Sequence, residues 1–289
     1  MKNVLACLLF VTTFIQCTTE QDIETQTAEQ NLVYEQNLDL SKQLPNEAFN
    51  TQNEGLYVGT VVTNDLSFHQ KIFINVNNDG HINAQIPTNR LEGQLLTGEK
   101  VGKKNNQYFF SGSIGTFKLT LENNKAIITN AIFDNKEAVV NVVKSTSTTR
   151  MMPSLGTFIS NDSMLTGTWD LIFQQVGETS FNITTLTIVR DGGTAFNIDT
   201  SGEYASECIP SDAPGTFINE IVISCNGSAP LVGKTLNYNL NGFNFQEDNS
   251  CFPLNPNNIN IIDQSWSLGT QGGTILIDLN SLPPFLDIT

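Results

Sequence analysis

From residue 55 to the C-terminus, apolar and polar residues alternate over short runs, and no long stretch repeats at the helical period. Alternation with a period of two indicates strands that bury one face. In the first half it predicts seven strands, at residues 55–63, 71–76, 81–86, 107–114, 116–122, 126–133 and 137–144. In the second half it predicts seven more, at residues 166–176, 181–190, 194–200, 218–225, 235–245, 259–268 and 274–279.

Two features interrupt this alternation. The run from Asn77 to Gly80 supplies the residues that a tight hairpin turn needs, so it predicts a hairpin between the second and third strands. A Ser/Thr-rich run over residues 144–153 marks a boundary. We therefore predict an all-β fold of two antiparallel β-modules, at residues 55–150 and 151–289. Barrel and sandwich share the same alternation, so the choice between them stays open.

The chain begins with a charged start and a short apolar stretch that ends at Cys17. This length is typical of a secretory signal and is too short to span a bilayer, so we expect a signal peptide at residues 1–16. An apolar segment ending at Cys resembles a bacterial lipoprotein signal, which implies lipidation of Cys17 and a place in the cell envelope as an outer-membrane lipoprotein. Gln16 departs from that pattern, so ordinary cleavage and secretion remain the alternative.

Charge divides the chain into three regions. The formal net charge of −15 excludes a nucleic-acid partner, because an acidic chain repels phosphates. Residues 18–54 carry −7, residues 55–150 carry +3 and residues 151–289 carry −12. We expect residues 17–54 to form a flexible acidic tether after the signal, with residues 32–44 either a short helix or part of the spacer.

Three cysteines remain after Cys17, all in the last third of the chain. An exported protein with three thiols favours one disulfide, and we expect it between Cys208 and Cys225, with Cys251 pairing with one of them as the alternative. Neither a CxxC spacing nor a histidine cluster is present, so no zinc site is expected.

The candidate ligand-binding residues are Trp169 and Trp266, the only two tryptophans, both in the second module. Exposed tryptophans stack on sugar rings, whereas buried ones anchor a core, and both interpretations stand at this point. Asp170 follows Trp169 and suggests carboxylate chemistry of the glycosidase type, with Glu203 or Glu207 as the partner. A serine triad would need His69 or His81, and both are expected to be structural or exposed.

Calcium is the one metal that the sequence suggests. Residues 75–80 begin like an EF-hand loop, but Asn75 stands where its first Asp belongs and Ile86 replaces the Glu of its twelfth position, so a hairpin is favoured there. A structural Ca²⁺ on the acidic run at residues 247–249 is the other option. No cofactor is otherwise expected.

Two parts of the sequence resemble known groups of proteins. Gly167-Thr168-Trp169 resembles the Gly-x-Trp start of lipocalin-like proteins, which implies a closed eight-stranded barrel with an apolar ligand cavity in the second half. More broadly, residues 14–17, 150–162 and 166–171 resemble uncharacterised secreted or lipoprotein-type β-proteins of flavobacteria. Neither resemblance brings functional residues. In addition, residues 59–65 (GTVVTND) and 156–162 (GTFISND) match and suggest two related modules.

Together these features predict an exported, lipid-anchored envelope protein of non-enzymatic binding type, whose second module holds a glycan or a small apolar ligand. It would meet the membrane through Cys17, and no protein partner is identified. One alternative is a carbohydrate-active hydrolase that uses the acids of the second module. The other is a purely structural surface component, in which the basic module docks on the acidic one or on a partner's acidic face.

Overall fold

A computed structural model describes residues 39–87, 94–102, 106–177, 180–210, 217–231, 233–248, 260–278 and 281–282. The signal peptide, Cys17 and Cys251 lie outside the described residues. In the described part the protein is built from antiparallel strands with one short 3-10 helix, Glu47–Phe49, which confirms the predicted all-β fold. The same ranges contain no helix whose length and apolar character would let it cross a membrane.

The first module is a closed barrel of eight antiparallel strands. The strands are β1 (Gly55–Thr63), β2 (His69–Val76), β3 (Ile82–Ile86), β4 (Gln94–Lys100), β5 (Gln107–Gly112), β6 (Gly115–Glu122), β7 (Lys125–Phe133) and β8 (Lys136–Ser145). Each strand pairs with the next along the chain, and β8 returns to pair with β1. The sequence left the choice between barrel and sandwich open, and the first module is a barrel. It has one strand more than the seven predicted.

The hairpin predicted at Asn77 to Gly80 joins β2 to β3. Val76 faces Ile82 across the hairpin, and the backbone N–H of Asn77 donates to the carbonyl of His81 at 2.8 Å. Asn77 and Gly80 both have positive φ, at 61° and 90°, which Asn and Gly tolerate better than other residues. The turn residues of the sequence thus fix this part of the barrel.

The second module also closes into an eight-stranded ring. Its strands are β9 (Met151–Ser154), β10 (Gly156–Ser160), β11 (Thr166–Gln175), β12 (Ser180–Arg190), β13 (Ala195–Asp199), β14 (Gly202–Pro210), β15 (Phe217–Leu231), β16 (Lys234–Asp248), β17 (Asn260–Leu268) and β18 (Gln271–Ile277). Eight of them form the ring: β10, β11, β12, β14, β15, β16, β17 and β18, with β18 pairing back to β10. β13 and β9 are attached outside it, on β12 and β11.

Both barrels are filled by side chains. In the first, the rings of Phe110 and Phe117 stack with their centroids 4.6 Å apart, in a cluster of buried aliphatic and aromatic residues to which all eight strands contribute. In the second, an aromatic and aliphatic cluster includes Trp169, Phe173 and Tyr204. Inward-facing positions of an eight-stranded barrel are normally filled in this way.

Two strands are buried on both faces, which joins the barrels into one body. All nine residues of β1 are buried, although only alternate residues such as Tyr57 and Val61 point into the first core. Residues 167–173 of β11 are likewise all buried. β1 contacts both β9 and β11, so the outward face of each strand is covered at the junction of the barrels.

The two matching heptapeptides fold alike. In each barrel the first strand ends in a turn where an aspartate accepts the hydroxyl of the residue two positions earlier: Thr63 donates to Asp65 and Ser160 to Asp162. The residue after each aspartate has positive φ, near 60°. The same turn at the same place in two barrels of like connectivity supports the interpretation of two related modules.

Residues 40–54 were predicted to belong to the tether, and this was wrong. Leu40 is 2% exposed, and its backbone N–H donates to Oε1 of Gln85 at 2.6 Å. The backbone N–H of Asn46 donates to Oδ1 of Asn78 at 2.7 Å, and Asn46 also caps the 3-10 helix. Specific hydrogen bonds to the first barrel hold this segment, and the compact unit begins at Leu40.

Candidate functional site

Trp169 is a core residue of the second barrel. It lies on β11, is 2% exposed, and packs edge-on against Phe158 and Tyr238 with ring centroids 6.3 and 5.7 Å away. Its indole Nε1 is buried and has no hydrogen-bond partner among the described residues. Of the two interpretations of Trp169, its position agrees with the core anchor.

Trp266 anchors the same core from β17. It is 6% exposed, its ring lies edge-on to Phe158 at 5.5 Å, and its Nε1 donates to the carbonyl of Ile159 at 3.4 Å. Trp266 also lines an outer groove whose other lining residues are glycines and polar residues such as Asn237 and Asn239. A ligand role for Trp266 stays a prediction.

The predicted Cys208–Cys225 disulfide is not formed. Cys225 is a buried free thiol, and burial raises its pKa to about 11. β14 and β15 pair so that Cys208 faces Asn219 while Cys225 faces Gly202. The two cysteines are thus six residues out of register, about 20 Å along the strands, whereas a disulfide needs Cα atoms within about 7 Å.

Asp170 has a partner that the sequence did not suggest. Its Oδ1 lies 2.8 Å from Nε2 of His69, a residue of the first barrel, and also accepts from the backbone N–H of Gly156 at 3.3 Å. Asp170 is 1% exposed, and its Oδ2 has no hydrogen-bond partner in the described part of the chain. Glu203 is exposed instead, and the side chain of Glu207 is not described.

His69 lines a cleft of about 560 Å³ at the junction, together with Gln70, Thr157 and Asp278. A carboxylate can only accept, so the hydrogen bond to Asp170 requires the hydrogen of the imidazole to sit on Nε2. In the neutral form of that imidazole Nδ1 carries the lone pair, which is the arrangement of a general base oriented by an acid. This His–Asp pair spans the two barrels and is of the kind that serves in acid–base catalysis.

A second cavity, which we call the junction pocket, lies where the first barrel, the segment from Leu40 and strand β9 meet. Its volume is about 560 Å³, within the range of about 300–1,000 Å³ typical of small-molecule sites. The walls are mainly apolar and include Leu40, Leu56, Val58, Phe73, Met151 and Met152. Unlike the barrel interiors, it is open space bounded by flexible methionines and aliphatic side chains.

The polar part of the junction pocket is basic. Lys42, Lys71 and Arg150 line it, and none of its described lining residues is Asp or Glu. Nζ of Lys71 donates to the carbonyl of Ser281 at 2.6 Å. Burial lowers the pKa of Lys71 to about 8, against the opposing attraction of Asp278. Burial also lowers the pKa of the Arg150 guanidinium.

The turn that resembled a calcium loop is closed by its own hydrogen bonds. Oδ1 of Asp79 accepts from Nδ2 of Asn75 at 2.7 Å and from the backbone N–H of His81, while its Oδ2 accepts from Nε2 of Gln43. These contacts fit the hairpin that the sequence favoured. For the acidic run at residues 247–249, the side chains lie outside the described residues.

Comparison with known proteins gives no match to a protein-family model, to a curated protein or to a solved structure.

Proposed function

We propose that this is an exported, lipid-anchored protein of the cell envelope that binds a small, largely apolar ligand without transforming it. The observation that supports this is the junction pocket, a cavity of ligand size with apolar walls. The barrel interiors hold packed side chains instead. We therefore propose the junction, rather than the tryptophans of the second module, as the binding site. Export and the anchor at Cys17 rest on the sequence of the first 17 residues.

Native mass spectrometry of the full chain, released gently from its own membrane, tests this proposal. A non-covalent mass of small-molecule size is expected, together with a covalent lipid at Cys17. Met151 lies partly buried in the pocket wall, so Met151→Trp should fill the space and remove the bound mass. Met164→Trp is the matched control, because Met164 is 80% exposed on the turn between β10 and β11.

A wild-type protein that carries no bound mass would refute ligand binding. A bound mass that survives Met151→Trp would place the ligand somewhere other than the junction pocket.

The His69–Asp170 pair favours one second candidate, a hydrolase. A hydrolase would turn over a chromogenic ester or glycoside. This turnover would disappear in Asp170→Asn while the fold persists. No turnover above that of the variant would leave the binding proposal as the sole candidate and would assign the pair to the joining of the two barrels.

A further inference from the structure

The charge around the junction pocket is unusual for this protein. The chain has 29 acidic and 14 basic residues, yet the pocket is lined by three cations and, among its described lining residues, no acid. Burying a cation in an apolar wall is unfavourable unless an anion or hydrogen-bond acceptor meets it. Basic residues on this one concave surface therefore indicate a ligand with a negative charge.

The cations differ in what already satisfies them. Lys71 donates to the carbonyl of Ser281 and is attracted by Asp278. Arg150 is partly buried, and its guanidinium makes no hydrogen bond or ion pair with any of the described residues. Arginine stays protonated in proteins, and its planar fork matches a carboxylate with two parallel hydrogen bonds. Arg150 thus offers one unmatched positive charge.

A neighbouring hydroxyl adds a second donor. Ser145 is 3% exposed and lines the same pocket, where its Oγ accepts from the backbone N–H of Met151 at 3.0 Å. That leaves the hydroxyl hydrogen of Ser145 without an acceptor among the described residues. The same pocket also has apolar lining residues, among them Leu40, Val58 and Phe73.

We propose that the junction pocket binds a single-chain amphiphilic monoanion, a fatty carboxylate, with its carboxylate on Arg150 and Ser145 and its alkyl chain along the apolar wall. One unmatched cation calls for one negative charge, and the apolar wall calls for an alkyl chain. This inference rests on the proposed function and specifies the chemical class of its ligand.

The test is isothermal titration calorimetry of the full, delipidated chain with decanoate and with 1-decanol at neutral pH. The two probes share a chain length and differ in charge. Decanoate should bind about tenfold more tightly than decanol, because a charge-assisted pair of hydrogen bonds is lost with the alcohol. Arg150→Gln should bring decanoate to the affinity of decanol.

Arg190→Gln is the matched control, since Arg190 is exposed at the end of β12 and should leave both affinities unchanged. An unaltered thermal midpoint for Arg150→Gln would show that the variant is folded. Equal binding of the two probes, with Arg150→Gln without effect, would overturn the anionic ligand and leave an apolar ligand standing. Binding of neither probe would overturn the fatty carboxylate, and native mass spectrometry would then decide the proposed function separately.

Discussion

Lys71 is expected to destabilise the protein at neutral pH, and removing its charge should make the fold more stable. Burial lowers its pKa from the ordinary 10.5 to about 8, even with Asp278 opposing the change. At about 1.4 kcal/mol for each pH unit between these values, the buried charge costs about 3 kcal/mol of unfolding free energy. Lys71→Met also removes the hydrogen bond to Ser281, which costs about 1 kcal/mol. The net gain at neutral pH is therefore about 2 kcal/mol.

The pH dependence isolates the charge from the hydrogen bond. Because the folded pKa is lowered, the unfolded chain binds this proton more tightly than the folded chain does. The stability of the wild type should therefore rise with pH between about 8 and 10.5 relative to Lys71→Met. About 2 kcal/mol of the difference between the two proteins should vanish between pH 7 and pH 9.5.

Urea denaturation of both proteins at these two pH values measures the effect. Lys118→Met is the control for the removal of a lysine charge, because Lys118 is exposed on β6. If the difference in unfolding free energy between wild type and Lys71→Met stays constant over the pH range, the buried-charge argument is refuted, whatever the absolute stabilities.

Three further expectations follow from the packing. Trp169→Ala should lower the free energy of unfolding by about 3–5 kcal/mol in urea denaturation, since it empties the centre of the second core; a loss below about 1 kcal/mol would contradict the core assignment. Gly59→Ala should cost about 3 kcal/mol or more, because its Cβ would lie 1.8 Å from the backbone oxygen of Asn141, whereas Gly177→Ala should be nearly neutral under the same denaturant. Cys225 should resist iodoacetamide at pH 8 until the protein is unfolded, as followed by peptide mapping, and rapid labelling of the native protein would contradict its burial.

Most strands could be predicted from the alternation of apolar and polar residues and from the turn residues. The strands that were not predicted share physical features that hide them. β4 is mostly polar and contains Gly98, so its pattern does not show a buried face. β14 carries several polar residues and ends in proline. β10 is only five residues long, although its burial alternates strictly. Closure into a barrel depends on long-range pairing of first and last strands, which local periodicity does not encode.

The site was predictable only in parts. Asp170 stood out beside Trp169, but its partner lies 101 residues earlier in the chain, in the other barrel. Arg150 lies in the Ser/Thr-rich run that the sequence analysis interpreted as a boundary. Its role as a candidate ligand contact depends on the pocket around it, which the sequence does not show. The disulfide prediction failed because cysteine counting carries no strand register. Residues from five separate segments line the junction pocket, and a single sequence gives no sign that they meet.

The way each ring closes sets an order of events as the chain folds from its N-terminus. The first barrel closes when β8 pairs with β1, so all eight of its strands are available once the chain is free as far as Ser145. The second closes when β18 pairs with β10, and more than 100 residues separate Ser160 from Gln271. Until then one edge of β10 stays unpaired, which is the state in which strands join the wrong neighbour. A chain that stops short of β18 would therefore keep an intact first barrel and carry a second sheet open to aggregation.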